Sequence, residues 1–397
     1  MSTQNRPSTL SRPHTRRRPV LESLEDRQLM SLASEFGINA VTSNESFDSD
    51  NAKSGNGASV VVWTDFSSSA NKVIRAQRLG FEGIKNGPEI VVASLGSGDF
   101  SAIRPKVAMN SLGEFVVTWT QPSGSDTNVL ARRFNAAGLP IGGVVQVGVG
   151  TFKEHDPDVA FGNTGNFVVA YTRDTNNVNP DVFAKQYSFS TGQLINVINV
   201  ATTSKGESLP SVAVHGNVIN VAYQLAFSGS DDDVKLARFS TNGTALGTVT
   251  VAGAGVRERA PSLGLDGLGN AFVAYQRIGG DDWDVKVRRV STAGSVGPEI
   301  NIQNTGADET RPSIAVRRSA AGGFVVAYNS DDRVKVTEVT DAGVVKSTSD
   351  AGDGRTNPAV SIDGNGEYLV TYTRKTRPFP FLFQHKNVKG RIGRLFF

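Results

Sequence analysis

Cysteine is absent from the 397 residues. That excludes disulfides, thiol nucleophiles and Cys-ligated zinc or iron–sulfur centres. Histidine is scarce, and His14, His155, His215 and His385 share no metal-ligand spacing. No apolar run approaches the ~18 residues of a membrane-crossing helix. Nor does an apolar stretch of ~7–15 residues follow the N-terminal arginines, as a secretory signal would require. Basic clusters are missing from the body of the chain. Residues 1–34 hold six arginines and three acids, and seven basic residues without an acid lie from Arg374 onward. Residues 35–373 are left with 28 basic against 35 acidic side chains. A nucleic-acid groove needs clustered cations to neutralise phosphates, so this body argues against one.

What the chain does have is repetition. An aromatic residue ends an apolar run at Trp63, Trp119, Tyr171, Tyr223, Tyr275, Tyr328 and Tyr372, in steps of 56, 52, 52, 52, 53 and 44. A proline opens the segment before it at Pro105, Pro157, Pro210, Pro261, Pro312 and Pro358. Two independent markers keep one period of about 50 residues, which indicates a repeat architecture. Each unit reads as four short strands. The first follows the proline. The second is a continuous apolar run such as Phe167–Tyr171, which suits a strand covered on both faces. The third alternates, as in Val234–Phe239, and is expected to be partly solvated. The fourth is short, as in Ile300-Asn301-Ile302. Gly, Asn, Asp and Ser fill the turns.

The two chain ends complement each other. The last unit stops after three strands, whereas Glu35-Phe36-Gly37-Ile38-Asn39-Ala40-Val41 precedes the first unit and resembles a fourth strand. Pairing the two would close a ring without a long open edge. The expected fold is therefore all-β: one seven-bladed β-propeller over residues 35–397, closed by an N-terminal strand. Residues 1–34 form a separate basic leader, expected to be disordered for lack of apolar residues.

Within that leader, Leu21-Glu22-Ser23-Leu24-Glu25-Asp26-Arg27-Gln28-Leu29-Met30-Ser31 resembles the LEPR-XLL motif of bacterial surface and extracellular proteins, with Asp26 where the motif has proline. The resemblance implies an extracellular or cell-surface location in a bacterium. The unit pattern P-S-V-A, G-G-F-V-V-A-Y, V-x-A-R-R-F resembles the roughly 50-residue repeats of large secreted bacterial proteins. Such repeats often accompany calcium-binding nonapeptides, of which this chain has none.

Chemistry on a propeller sits at the mouth of the central channel. Glu154, Glu207, Glu258 and Glu309 each lie three residues before a proline, and Ala102 and Arg355 break the series. With Trp283, these four are the candidate ligand-binding residues of an acidic rim. Asp231, Asp233, Asp281, Asp282, Asp331 and Asp332, between second and third strands, are the candidate metal ligands, since calcium takes several carboxylate oxygens. The competing reading is that these acids form turns and cap amides or pair with Arg104, Arg257, Arg259, Arg311 and Arg355. The apolar stretch Phe379–Phe383 is a further candidate contact. No cofactor other than calcium is indicated. The expected role is non-catalytic binding of a glycan, matrix component or envelope protein. A glycosidase-like activity at the rim needs two suitably spaced carboxylates or a sialidase-like tyrosine, and the S-x-D-x-G-x-x-W box is absent. A purely structural envelope component is the third class.

Overall fold

The computed structural model describes residues 32–395, apart from 41, 43, 69–70, 97–102, 163–164, 176–178, 320–321, 354–356 and 377–384. The leader and its LEPR-XLL-like motif, Ala102, Arg355 and the Phe379–Phe383 stretch lie outside the described residues. No helix among those described is long and apolar enough to cross a membrane.

Seven antiparallel sheets of four strands follow one another along the chain. Their first strands are Glu45–Lys53, Lys106–Met109, Lys153–Phe161, Gly206–His215, Glu258–Leu265, Glu309–Val316 and Ala359–Ile362. Each first strand touches the next in a cycle, and the last touches Glu45–Lys53, so the ring is closed. The protein is a seven-bladed β-propeller.

The apolar second strands explain the packing. Phe115, Val116 and Val117 are fully buried, as are the equivalent Phe324, Val325 and Val326. Alternate side chains of such a strand point to the two neighbouring blades, so the core is a set of wedges between blades. One wedge joins Val60, Val62 and Ile74 to Phe115, Val117 and Trp119, and the next joins Val116, Val129 and Ala131 to Phe167, Val169 and Tyr171. Each such side chain contributes about 1.5–3 kcal/mol on burial. The third strands are more buried than their alternation predicts. Val234, Leu236 and Ala237 are all inaccessible, because blades cover both faces of the sheet.

Closure uses both chain ends. The last blade runs Ala359–Ile362, Glu367–Thr376, His385–Arg394, then Phe36–Gly37 as its outer strand. The ladder is shorter than the sequence predicts, but a bridge from Leu32 to Gly393 and a bond from the Ile38 amide to the Val388 carbonyl (3.0 Å) extend it. Side chains reinforce it. Tyr372 donates to Glu35 at 2.5 Å, Arg374 pairs with Glu35 at 2.8 Å, and Asn39 donates to Asn387 at 2.9 Å.

The proline marker has a structural cause. The residue before it takes a positive φ: Arg104 (40°), Asp156 (48°), Leu209 (52°), Ala260 (50°) and Arg311 (55°). Asp48 does the same at 49° in the first blade, where Ser49 replaces the proline. A bulge follows in five blades, seen as register shifts such as His155 to Asp158 and Arg259 to Ser262. Such backbone costs about 1–3 kcal/mol per residue and re-aims the flanking side chains. Here it turns them inward.

Candidate functional site

The inward-turned residues line a central cavity of about 600 Å³. Residues just after the proline lock successive blades together. The Asp50 carboxylate accepts the Val107 amide at 2.9 Å, Asp158 accepts Val212 at 2.8 Å, and Ser211, Ser262 and Ser313 each accept an amide of the next blade at 3.1 Å. Lys106 stands among them with its ammonium 3.8 Å from Asp50, whose charge holds it above the usual lysine value.

Residues just before the proline, or before Ser49 in the first blade, also line the cavity: Asp48, Arg104, Asp156, Arg311 and Asn357 among them. Arg104 pairs with Asp156 across the second and third blades. His155 bridges Asp156 (2.9 Å) and Asp174 (3.0 Å). Burial works against its charge, but the two carboxylates prevail and raise it to about 9. Burial also pushes Asp156 upward, and there the His155 bond and the Arg104 guanidinium win, leaving it below the usual carboxylate range. Asp48 differs. It accepts a 3.3 Å hydrogen bond from the Asn357 amide, and burial lifts it above the usual range against the pull of Arg104 and Arg311. Arg259 pairs with Asp232 at 2.5 Å. Arg311 donates to Asn357 at 2.8 Å and has no ion-pair partner among the described residues. Gln224 and Gln276 add amides to the wall.

Glu154, Glu207, Glu258 and Glu309 are elsewhere. All four are at most 1 % exposed and face the junction with the preceding blade rather than the channel. Three of them staple the connection between blades, and Glu154 pairs within its own blade. Glu207 accepts the Thr203 hydroxyl and amide, Glu309 accepts the Thr305 hydroxyl at 2.5 Å, Glu258 accepts the Ala254 amide at 3.3 Å, and Glu154 pairs with Arg173 at 3.1 Å. Gly148 is required beside Glu154, since a Cβ there would lie 2.8 Å from the Glu154 side chain and 2.9 Å from the Tyr171 ring. Burial raises all four above the usual carboxylate range, Glu258 to about 7. The bulge explains this placement: the three-residue offset from proline sends a side chain to the junction, and the one-residue offset sends it to the channel.

Of the proposed metal ligands, Asp231 and Asp233 join Glu258 in a group whose ligand atoms lie within 4.8 Å of one another. Three carboxylates are a donor set suited to a hard cation, but Lys235 already sits 2.8 Å from Asp233. Asp281, Asp282, Asp331 and Asp332 belong to no such group among the described residues. Asp331 instead accepts the Asp308 amide at 3.2 Å. Trp283 is half-buried near the channel, with its amide on Asp308 and the Arg259 guanidinium 6.0 Å above its ring. The glutamate register, three residues before the proline, does not coincide with the channel lining. The signal lies one residue before the proline or, in the first blade, before Ser49, where charge alternates as Asp48, Arg104, Asp156.

No protein-family model and no curated protein matches the sequence. Solved structures do match in shape. A protein of unknown function from Dyadobacter fermentans has a TM-score of 0.56 at 10 % identity, over 92 % of this chain and 100 % of that one. An α-L-arabinanase of Penicillium chrysogenum, complexed with arabinobiose, has a TM-score of 0.55 at 12 % identity, over 74 % of this chain and 93 % of that one. An ulvan lyase, bound to a GlcA(1-4)Rha3S unit, has a TM-score of 0.56 at 12 % identity, over 89 % and 95 %. At such identities these likenesses establish the propeller fold of the chain.

Proposed function

We propose that the chain binds a glycan at the mouth of its central channel without cleaving it. The lining carries this reading. Asp, Arg, Asn and Gln side chains converge there on a cavity of about 600 Å³, offering donors and acceptors in the alternation that sugar hydroxyls require. Its carboxylates are mostly engaged. Asp50 and Asp158 hold backbone amides, and Asp156 is held by Arg104 and His155. A carboxylate held this way orients a ligand well and transfers protons poorly. The arabinanase and the ulvan lyase, named for the carbohydrates they act on, support a glycan as the ligand class. The leader's resemblance to LEPR-XLL segments supports an extracellular or cell-surface setting, which fractionation of the native cells would test.

One observation favours hydrolysis as a second reading. Asp48 is pushed up and Asp156 down, on blades either side of Arg104. Environments that drive two carboxylates apart are the arrangement of an acid and its anionic partner. The experiment is a glycan array with the full chain, followed by a reducing-end assay on the retained glycans. Retention without new reducing ends, lost in Arg311→Gln, is the expected result. Cleavage that disappears in Asp48→Asn would replace the binding reading with the hydrolytic one. No retained glycan would reject both.

A further inference from the structure

A second cavity, of about 370 Å³, lies between the fourth and fifth blades. Its origin is a break in the repeat. At five of the other six junctions an apolar second-strand residue from each blade fills this space; between the seventh and first blades the pair is Leu369 and Ser59. Val60 meets Phe115, Val116 meets Phe167, Val168 meets Ile219, Phe272 meets Phe324 and Val325 meets Tyr368. Strand register identifies the equivalent pair in the fourth and fifth blades as Asn220, opposite Arg238, and Ala271, opposite Val290. A polar side chain and a small one thus stand where five junctions have large apolar pairs.

The polar groups are only partly consumed by the fold. Asn220 is 3 % exposed and lines the cavity, and its side-chain amide has no hydrogen-bond partner among the described residues. Arg238 gives one Nη to the Thr292 carbonyl at 2.5 Å, whereas its Nε is buried and unpartnered. No carboxylate pairs with it among the described residues. Its counterpart Arg289 has Asp266 at 3.7 Å, whereas Arg78 and Arg133, at the same register position, share with Arg238 an unpartnered Nε and a bond to a carbonyl of the next blade. His215 completes the polar side, and Leu236, Ala271 and Val290 form an apolar floor.

We infer that this cavity is a binding site for a small monocarboxylate with a short apolar body. The carboxylate meets the Arg238 guanidinium and the Asn220 amide, a pairing that is strong and directional. The body takes the volume that a phenylalanine at position 271 would fill. Water alone would satisfy the polar groups but would wet the apolar floor. A pocket of this size suits a small organic ligand.

The test uses the full chain and hexanoate, with acetate and hexan-1-ol as controls, read by ligand-observed NMR and by melting temperature. Hexanoate is expected to bind with a dissociation constant on the order of millimolar or tighter, and each control about tenfold more weakly. Asn220→Val with Ala271→Phe installs the pair used between the second and third blades. It should reduce hexanoate binding by about tenfold or more while melting at or above the parent temperature. Should the phenylalanine overpack, Asn220→Val alone and Arg238→Gln give the same reading, and Arg238→Gln should weaken hexanoate but not hexan-1-ol. Absence of hexanoate binding, or binding unchanged in these variants, overturns the site. Equal binding of hexan-1-ol and hexanoate overturns the anionic class.

Discussion

Replacing Ile38 by alanine tests how the ring is held shut. Ile38 is fully buried although it precedes the first blade. It packs with Val61, Trp63 and Leu79 of the first blade and Leu369 and Val388 of the last. Truncation removes three carbons, worth about 0.8 kcal/mol each in transfer, and leaves a cavity between two blades that do not collapse freely. The expected loss is about 3–4 kcal/mol, a large share of the roughly 5–15 kcal/mol of a typical domain. Urea unfolding should show it by circular dichroism and by tryptophan fluorescence, to which Trp63 of the same cluster contributes. Val344→Ala is the control, since Val344 is 54 % exposed and should change stability by less than about 0.5 kcal/mol. If Ile38→Ala unfolds at the same urea concentration as that control, the N-terminal strand does not latch the ring.

Other expectations follow from the charges. Burial raises Glu258 from 4.5 to about 7, so its protonated form stabilises the fold; that contribution is complete below 4.5 and gone above about 7. Glu258→Gln keeps the neutral form, so its melting advantage over the parent should grow across that window by up to about 3 kcal/mol, and parallel curves would refute it. His155 is raised from 6.5 to about 9, so its ion pairs stabilise fully below 6.5 and fade as pH rises through 9. His155→Gln should therefore cost about 2 kcal/mol at pH 6 and little at pH 10, measured by urea unfolding at each pH. Millimolar calcium should leave the melting temperature unchanged relative to EDTA, because Lys235 already compensates Asp233. A calcium-dependent rise abolished by Asp231→Asn would instead make Asp231, Asp233 and Glu258 a cation site.

The architecture was legible because a propeller blade repeats its physical demands. Each blade needs an aromatic wedge, hence Trp63, Trp119 and the tyrosines that follow, all buried as the period implies. Each also needs a second strand apolar on both faces. Closure could be read from chain ends that lacked complementary strands. These are local patterns, carried by residue type and spacing, and they survive without coordinates.

Which way a side chain faces could not be read the same way. Glu154 and Asp156 are two residues apart, and in a regular strand they would share a face. The positive φ at Asp156 and the bulge beyond it break that periodicity, so one faces a junction and the other lines the channel. The second cavity depends on Asn220 and Ala271, which belong to different blades and are brought together by packing. The sequence alone therefore determined the number of blades, their strands and the closure of the ring, because hydrophobic period and turn chemistry act along the chain. The tertiary structure decided which charges meet in the channel and where the packing fails, because those depend on backbone bulges and on contacts between neighbouring blades.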